Sequence, residues 1–271
     1  KVHRINHEGK RYRVEGPPLV SPSPQRPPLL FQAGASEAGR NFAARNAEAV
    51  FVTPPNREAA RRDTTDIRNR AVAAGRRADD LKFFQGLYVV PASTEAEAKR
   101  RAAELDEWID YDGHLAHLSG GMGLDFGHDD LDTPVGEIET EGVRSAIGWI
   151  NDLVTDRPAT LRDVAHYTAT SLRIVGTPER IADEFAAWQA SGIDGINLMN
   201  YEIPGSYEDF VDHVIPTLRK RGLIQSEYTP GTLRQKIFGR GDRLPERHPA
   251  ARYRGAFGSK TAEPSLAGAV D

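Results

Sequence analysis

Residues Pro28–Arg40, which read Pro-Leu-Leu-Phe-Gln-Ala-Gly-Ala-Ser-Glu-Ala-Gly-Arg, are the stretch that decides the fold. The apolar run Leu29–Phe31 is long enough for a buried strand and too short for a helix. Gly34 interrupts that run, and Ser36 stands at the N-cap position of the helix-prone stretch that follows. The pattern therefore predicts a strand, a tight turn and a helix.

The turn between this strand and this helix has the features of an anion-binding site. The first backbone N–H groups of a helix have no partner within it, and the helix dipole favours negative charge there. Ser36 adds a hydroxyl group, while Gly34 and Ala35 allow a ligand to approach closely. These residues suit a phosphate group. An ordinary capped turn without a ligand is the alternative reading of the same residues.

Composition limits the possible functions of the 271-residue chain. Its net charge of −4 gives no electrostatic reason to expect a nucleic acid or an anionic membrane as partner. No apolar run approaches the roughly 18 residues needed to span a bilayer. The absence of cysteine excludes disulfides, thiolate metal sites and cysteine nucleophiles, and it is typical of a cytoplasmic protein.

The rest of the chain alternates between predicted strands and helices. Besides the strand at 29–31, short apolar runs predict strands at 49–52, 81–90 and 196–199. Polar N-cap residues predict helices that start after Asn56, Thr94 and Thr177. Strands separated by helices indicate βα units, and hence a parallel sheet with four strands.

Two segments break this alternation. The glycine- and aspartate-rich stretch at 118–137 predicts a long loop, and loops of that length in compact domains are often functional lids. Helical stretches are expected after it, at 140–153 and 160–171. Residues 239–271 are rich in Gly, Arg, Pro and Ala without periodicity, which predicts a disordered tail.

Motifs found in order along residues 1–238 resemble the flavin-dependent monooxygenases related to bacterial luciferase. The resemblance is strongest to the branch that contains the nitrilotriacetate, long-chain alkane and dibenzothiophene-sulfone monooxygenases. The motifs are Gln32–Ser36, Val175–Glu179, Asp194–Leu198 and Val214–Leu223. No single one of them is as specific as the whole set in this order.

The resemblance implies a (β/α)8 TIM-barrel type of fold, of which this chain holds only the C-terminal portion. The matches begin just before the family's fifth strand, so residues 1–238 would supply about strands 5–8, with the lid inserted at 118–137. The family's turn after strand five holds the phosphate of FMN, which assigns Gly34, Ala35 and Ser36 to cofactor binding. His128 in the lid and Tyr201 after the last strand are the candidate substrate contacts.

The function implied by the resemblance is that of a two-component monooxygenase. Such an enzyme uses reduced FMN from a separate flavin reductase, together with O2, on a small organic substrate. A homo-oligomer is expected, and no catalytic acid or base can be assigned. His114 and His117, near the end of a helix, predict a polar surface and not a metal site. Two alternatives stay open: an inactive remnant, and a non-enzymatic α/β module that binds a phosphate-bearing ligand.

Overall fold

The structure is a computed structural model, and it describes residues 3–34, 36–122, 130–137, 150, 154 and 156–256. Its main sheet has five strands, all parallel. They are β3 (Phe31–Ala33), β4 (Ala49–Val52), β5 (Lys82–Pro91), β6 (Arg173–Gly176) and β7 (Gly195–Met199). A small antiparallel hairpin of β1 (His7–Glu8) and β2 (Arg13–Val14) precedes this sheet.

Helices connect the strands of the sheet. The α-helices are α1 (Glu37–Asn46), α2 (Arg57–Ala73), α3 (Glu95–Asp106), α4 (Tyr111–Met122), α5 (Leu161–Thr170), α6 (Pro178–Ala190), α7 (Gly205–Asp209), α8 (Ile215–Lys220) and α9 (Leu233–Phe238). A π-helical turn, Phe210–Val214, joins α7 to α8 just before Pro216. Short 3-10 segments lie at Ala78–Asp80, Val135–Glu137 and Pro249–Tyr253.

The predicted helix starts are confirmed. Ser36, Asn56, Thr94 and Thr177 each accept a hydrogen bond at the side-chain oxygen from the backbone N–H three residues later. Each cap satisfies one N–H group that the helix itself cannot satisfy. The caps therefore fix where the connecting helix begins after β3, β4, β5 and β6.

One face of the sheet is covered and the other is left partly open. Val50 and Phe83 have no exposed surface, and they pack against Ala43 and Ala44 of α1 in the main apolar core. Side chains that alternate with these along the strands point to the opposite face. Phe31 on that face is 53% exposed, although its ring lies 5.3 Å from that of Phe84.

The sequence predicts four strands, and the structure adds β6. Tyr88–Pro91, the last residues of β5, pair with Arg173–Gly176, whereas the earlier residues Phe84–Tyr88 pair with β7. The expectation of four strands is therefore wrong, because β6 is too short to signal itself and forms only against a distant partner. The described residues form an α/β fold with a parallel sheet and no closed barrel.

The expectation of a disordered tail from residue 239 does not hold for residues 239–256. Leu244, His248 and Ala251 are buried, and Arg240 and Arg247 form ion pairs with the buried Asp80. This segment is ordered by charged contacts with residues that are distant in the sequence. Such contacts leave no periodic pattern in the segment's own sequence. Residues 257–271 lie outside the described part of the chain.

The predicted lid at 118–137 is described only in part. Residues 118–122 belong to α4, against the expectation of a loop, and residues 123–129 lie outside the described residues. Val135 is buried, and its N–H donates to the carbonyl of Ala159. The helix expected at 160–171 is confirmed as α5, whereas most of 140–153 is not described. None of the described helices has both the length and the apolar character that a bilayer crossing requires.

Candidate active site

The turn that follows β3 lies at the edge of the sheet where the carboxyl ends of the parallel strands meet. Active sites in sheets of this kind gather at that edge. Gly34 has a φ of +150°, which side chains rarely tolerate, and a Cβ atom there would lie 2.9 Å from Nε2 of Gln32. The predicted site residue Ala35 lies outside the described residues. The turn thus needs glycine at position 34 for its conformation, whereas the flexible side chain of Gln32 could move aside.

Ser36 occupies the N-cap of α1, as the sequence predicts. Its Oγ accepts a hydrogen bond from the N–H of Gly39 at 3.1 Å, which leaves the hydroxyl proton able to donate outward. The side chain is exposed, and so are those of Glu37 and Ala38 in the first turn. A ligand at this point would meet a hydroxyl donor and the first N–H groups of a ten-residue helix.

The charged groups around the turn are paired with one another. Arg70 donates to the carboxylate of Glu37 and lowers the pKa of that carboxyl, and it also binds Asp66. Arg40 binds Asp63 and Asp66. The negative charge that Glu37 brings to the helix start is therefore neutralised by Arg70. Recognition of an anion at this turn would depend on the hydroxyl and N–H donors.

Gln32 contributes an unsatisfied acceptor beside the turn. Its Nε2 donates to the carbonyl of Ala33 at 2.9 Å, while its Oε1 is shielded from solvent and has no hydrogen-bond partner within the described residues. Shielded polar atoms are nearly always paired in native proteins, so we expect a donor from outside the described residues here. A hydroxyl group on a ligand would supply it. The sequence pattern gives no sign of this, because the shielding arises from packing.

Tyr201 follows β7 at the same edge of the sheet. Burial raises the pKa of its phenol, and the hydroxyl is shielded without a hydrogen-bond partner in the described chain. The nearby Arg101 lowers that pKa and Asp209 raises it. Arg101 donates both to the carboxylate of Asp209 and to the carbonyl of Pro91 at the end of β5. Tyr201 is thus an unpaired hydroxyl next to a fixed ion pair.

The structure brings some of the predicted site residues to one edge and leaves others undescribed. Gly34 and Ser36 follow β3, Tyr201 follows β7, and two strands, β4 and β5, lie between them. His128 lies outside the described residues. His114 hydrogen-bonds through Nε2 to Thr168 Oγ1 at 2.9 Å, a contact between α4 and α5.

Comparison with known proteins identifies a family. The family described as luciferase-like monooxygenase matches residues 2–195. Dimethyl-sulfide monooxygenase of Hyphomicrobium sulfonivorans is 42% identical over 265 residues, which cover 96% of this chain and 55% of that protein. Long-chain alkane monooxygenase of Geobacillus thermodenitrificans is 41% identical, over 94% of this chain and 54% of that protein. The chain thus spans about half the length of the curated relatives it matches.

Solved structures show the same likeness. The crystal structure of DmoA from Hyphomicrobium sulfonivorans has a TM-score of 0.84 and 40% identity, and the match covers 98% of this chain and 58% of that one. A riboflavin lyase, crystallised with modified FMN and riboflavin, has a TM-score of 0.77 and 36% identity, over 93% of this chain and 57% of that one. The resemblance found in the sequence motifs is confirmed.

Proposed function

The chain belongs to the luciferase-like monooxygenase family, and from this premise we propose that it is the C-terminal portion of an FMN-dependent monooxygenase. The observation that carries the proposal is the turn after β3, where Ser36 caps α1 and Gln32 has an acceptor with no partner in the described part of the chain. Since the chain spans about half the length of its curated relatives, the activity belongs to the assembled enzyme. The family match makes a non-enzymatic phosphate-binding module the less favoured alternative.

The residues at the turn fit the phosphate and sugar-alcohol chain of FMN. The Ser36 hydroxyl and the N–H groups at the start of α1 would hold the phosphate, Gly34 and Ala35 would admit it closely, and Gln32 Oε1 would accept from a ribityl hydroxyl. The riboflavin lyase to which the chain is similar was crystallised with modified FMN. Reduced FMN supplies the chemistry with O2, and the protein binds it, orients it and excludes water.

We further propose that the sheet is half of a (β/α)8 barrel. Strands β3, β4, β5 and β7 lie side by side in parallel, helices cover one face, and the opposite face carries the exposed Phe31. That is the arrangement that strands 5–8 of such a barrel would have. In it β6 pairs with the last four residues of β5, and residues 118–137 would form the lid over the site.

The remaining parts of the proposal concern the substrate and partners. The substrate is a small organic molecule, in keeping with relatives named for dimethyl sulfide and long-chain alkanes. Tyr201 and His128 would contact it. Electrons come from a separate flavin reductase through reduced FMN, and O2 is the co-substrate. The assembled enzyme is proposed to be a cytoplasmic homo-oligomer.

The Ser36→Ala variant tests the assignment of the phosphate site. Loss of a hydrogen bond to a charged group should weaken FMN binding roughly 10- to 150-fold. Ser36→Asp should weaken it further, because it sets a carboxylate against the phosphate. Riboflavin has no phosphate, so its affinity should hardly change. We would titrate both flavins and follow flavin fluorescence.

A second helix cap provides the matched control. Thr232 caps α9 by accepting from the N–H of Gln235, away from the turn. Thr232→Ala removes a cap at a similar cost of about 1 kcal/mol without touching the proposed site. Both flavins should bind this variant as they bind the wild type. Equal losses of FMN and riboflavin binding in Ser36→Ala would show that Ser36 only supports the fold, and the phosphate assignment would fail.

A further inference from the structure

A cavity of about 200 Å³ lies at the edge of the sheet opposite to the proposed flavin site. Glu48 and Asp80, which come just before β4 and β5, form part of its wall, and the segment 238–248 closes it. The carbonyl groups at the end of α1 bind Arg76 and His248, which also line the cavity. The cavity thus lies between the carboxyl end of α1 and the segment 238–248.

The lining carries more positive than negative charge. Four guanidinium groups and two carboxylates line the cavity, which leaves a surplus of two positive charges. The arginines are Arg76, Arg234, Arg240 and Arg243, and the carboxylates are Glu48 and Asp80. His248 adds no charge near neutral pH. Burial lowers the pKa of this histidine, and its Nδ1 accepts from the N–H of Ala250 while its Nε2 faces the carbonyl of Asn46.

Both carboxylates already form hydrogen-bonded ion pairs with arginines. Glu48 receives Nε and Nη2 of Arg234 at 2.6 and 2.7 Å. Asp80 receives Arg240 at 2.9 Å and Arg247, from outside the cavity, at 2.6 Å. Neither carboxylate has a hydrogen bond to Arg76 or Arg243. The excess positive charge of the lining therefore resides on these two side chains.

Arg76 is a buried cation without a carboxylate partner among the described residues. It is 5% exposed, and its Nη atoms donate only to backbone carbonyls, those of Ala44 at 2.9 Å, Asp80 at 3.1 Å and Ala43 at 3.5 Å. Its Nε is shielded and has no hydrogen-bond partner in the described chain. Burial lowers the pKa of Arg76, and the charges of Asp80 and Glu48 oppose this without a hydrogen bond from Arg76 to either carboxylate.

Arg243 lies on the outer side of the same cavity. Its nearest carboxylate is that of Asp242, at 4.0 Å, and its side chain is 46% exposed. A charge at this distance and exposure contributes little as an ion pair. The side chain is thus available to a ligand that enters from solvent, with Arg76 at the buried end.

We propose that this cavity binds a free tetrahedral oxyanion of the phosphate or sulfate class between Arg76 and Arg243. A dianion matches the surplus of two positive charges, and its oxygens offer acceptors to guanidinium donors in the planar arrangement that arginine favours. The cavity is large enough for one such ion with bridging waters. The bound ion connects α1 and Arg76 to the segment 238–248.

Calorimetric titration of the chain with inorganic phosphate, and separately with sulfate, tests the proposal. Sodium chloride keeps the ionic strength constant. Arg243→Gln should weaken binding of both ions about tenfold or more, because it removes a charged donor. Arg243→Lys, which keeps the charge, should retain part of the affinity. Arg57→Gln is the matched control, since Arg57 is equally exposed at 46% and lies on α2 outside the cavity.

Phosphate could also occupy the turn at Ser36, so Ser36→Ala is titrated in parallel. Saturable binding that survives in Ser36→Ala and in Arg57→Gln but weakens in Arg243→Gln supports the cavity site. Binding that is lost in Ser36→Ala and unchanged in Arg243→Gln places the phosphate at the turn and overturns the proposal. No heat beyond that of chloride, or equal losses in Arg243→Gln and Arg57→Gln, overturns it as well.

Discussion

The side chain of Arg234 is 1% exposed and holds together segments that are distant in sequence. Its Nε and Nη2 bind the carboxylate of Glu48, and its Nη1 donates to the carbonyls of Gln25 and Asp242. The Nη2 atom also donates to the carbonyl of Pro28 at 2.9 Å. One guanidinium thus holds together three parts of the chain: the segment that leads into β3, the start of β4, and the C-terminal segment, residues 239–256.

Arg234→Met should destabilise the chain strongly. It leaves the carboxylate of Glu48 buried without its cation, and breaking a buried ion pair from one side costs about 3–5 kcal/mol. The double variant Arg234→Met, Glu48→Leu should be less destabilised than Arg234→Met alone, because no lone charge remains. Urea unfolding gives the free energies. Arg100→Met, at a surface pair with Glu104, should change stability by less than about 0.5 kcal/mol.

A double variant that is no more stable than Arg234→Met would contradict this account. In that case the hydrogen bonds to the carbonyls of Gln25, Pro28 and Asp242 would be the main contribution of Arg234. The same three segments would still depend on the residue, but through neutral acceptors.

Residues whose role is local could be predicted from the sequence, and residues whose role depends on packing could not. Ser36 and Gly34 follow from the order of strand, turn and helix, since capping involves atoms within three residues. Gln32 and Arg234 have no local pattern. The unpaired oxygen of Gln32 and the buried contacts of Arg234 exist only once distant segments meet.

The same distinction holds for whole elements. The helices α1, α2, α3 and α6 begin where the sequence predicts, because each start has its own cap. The strand β6 has only four residues and pairs with the last four residues of β5, so no local sequence signal marks it. The sequence of the C-terminal segment predicts disorder because its ordering contacts are ion pairs to Asp80, about 160 residues away.

The C-terminal segment should detach when Asp80 loses its charge. Burial raises the pKa of the Asp80 carboxyl, but Arg247, the backbone N–H of Arg77 and Arg240 together hold it at about 2. Because the folded pKa lies below the ordinary value of 3.8, the stabilisation is complete above about pH 4 and is lost as the pH falls towards 2. It amounts to about 2 kcal/mol. The difference in unfolding free energy between wild type and Asp80→Asn should shrink over this interval.

Hydrogen exchange at neutral pH shows where the effect acts. In Asp80→Asn, amide protection should fall in residues 239–256 and stay unchanged in β5. The control is Asp183→Asn, whose side chain is 71% exposed and pairs with Arg221, outside the segment. If protection fell equally in both variants, or throughout the sheet, Asp80 would not be the specific anchor of this segment.

At the scale of the whole molecule, the sheet has an open face and unpaired strand edges among the described strands. Strands β3, β6 and β7 each have a neighbour on one side only. Beside β7 there is an apolar cavity of about 240 Å³, lined by residues of α6 and α8 that include Phe185 and Leu218. Unpaired strand edges and exposed apolar surface are the places where another chain binds. In a half-barrel, the missing strands would cover all of them.

We expect the chain alone to self-associate through this open surface, and to bind instead a chain that supplies the first half of a related barrel. Phe31→Asp places a charge on the open face and should shift the chain towards monomer in sedimentation velocity. Phe42→Asp is the matched control: Phe42 is 56% exposed, close to the 53% of Phe31, but lies on α1. It should leave association unchanged. A wild-type chain that sediments as a compact, stable monomer and ignores the other half would contradict the half-barrel, because such a molecule has no open face to cover.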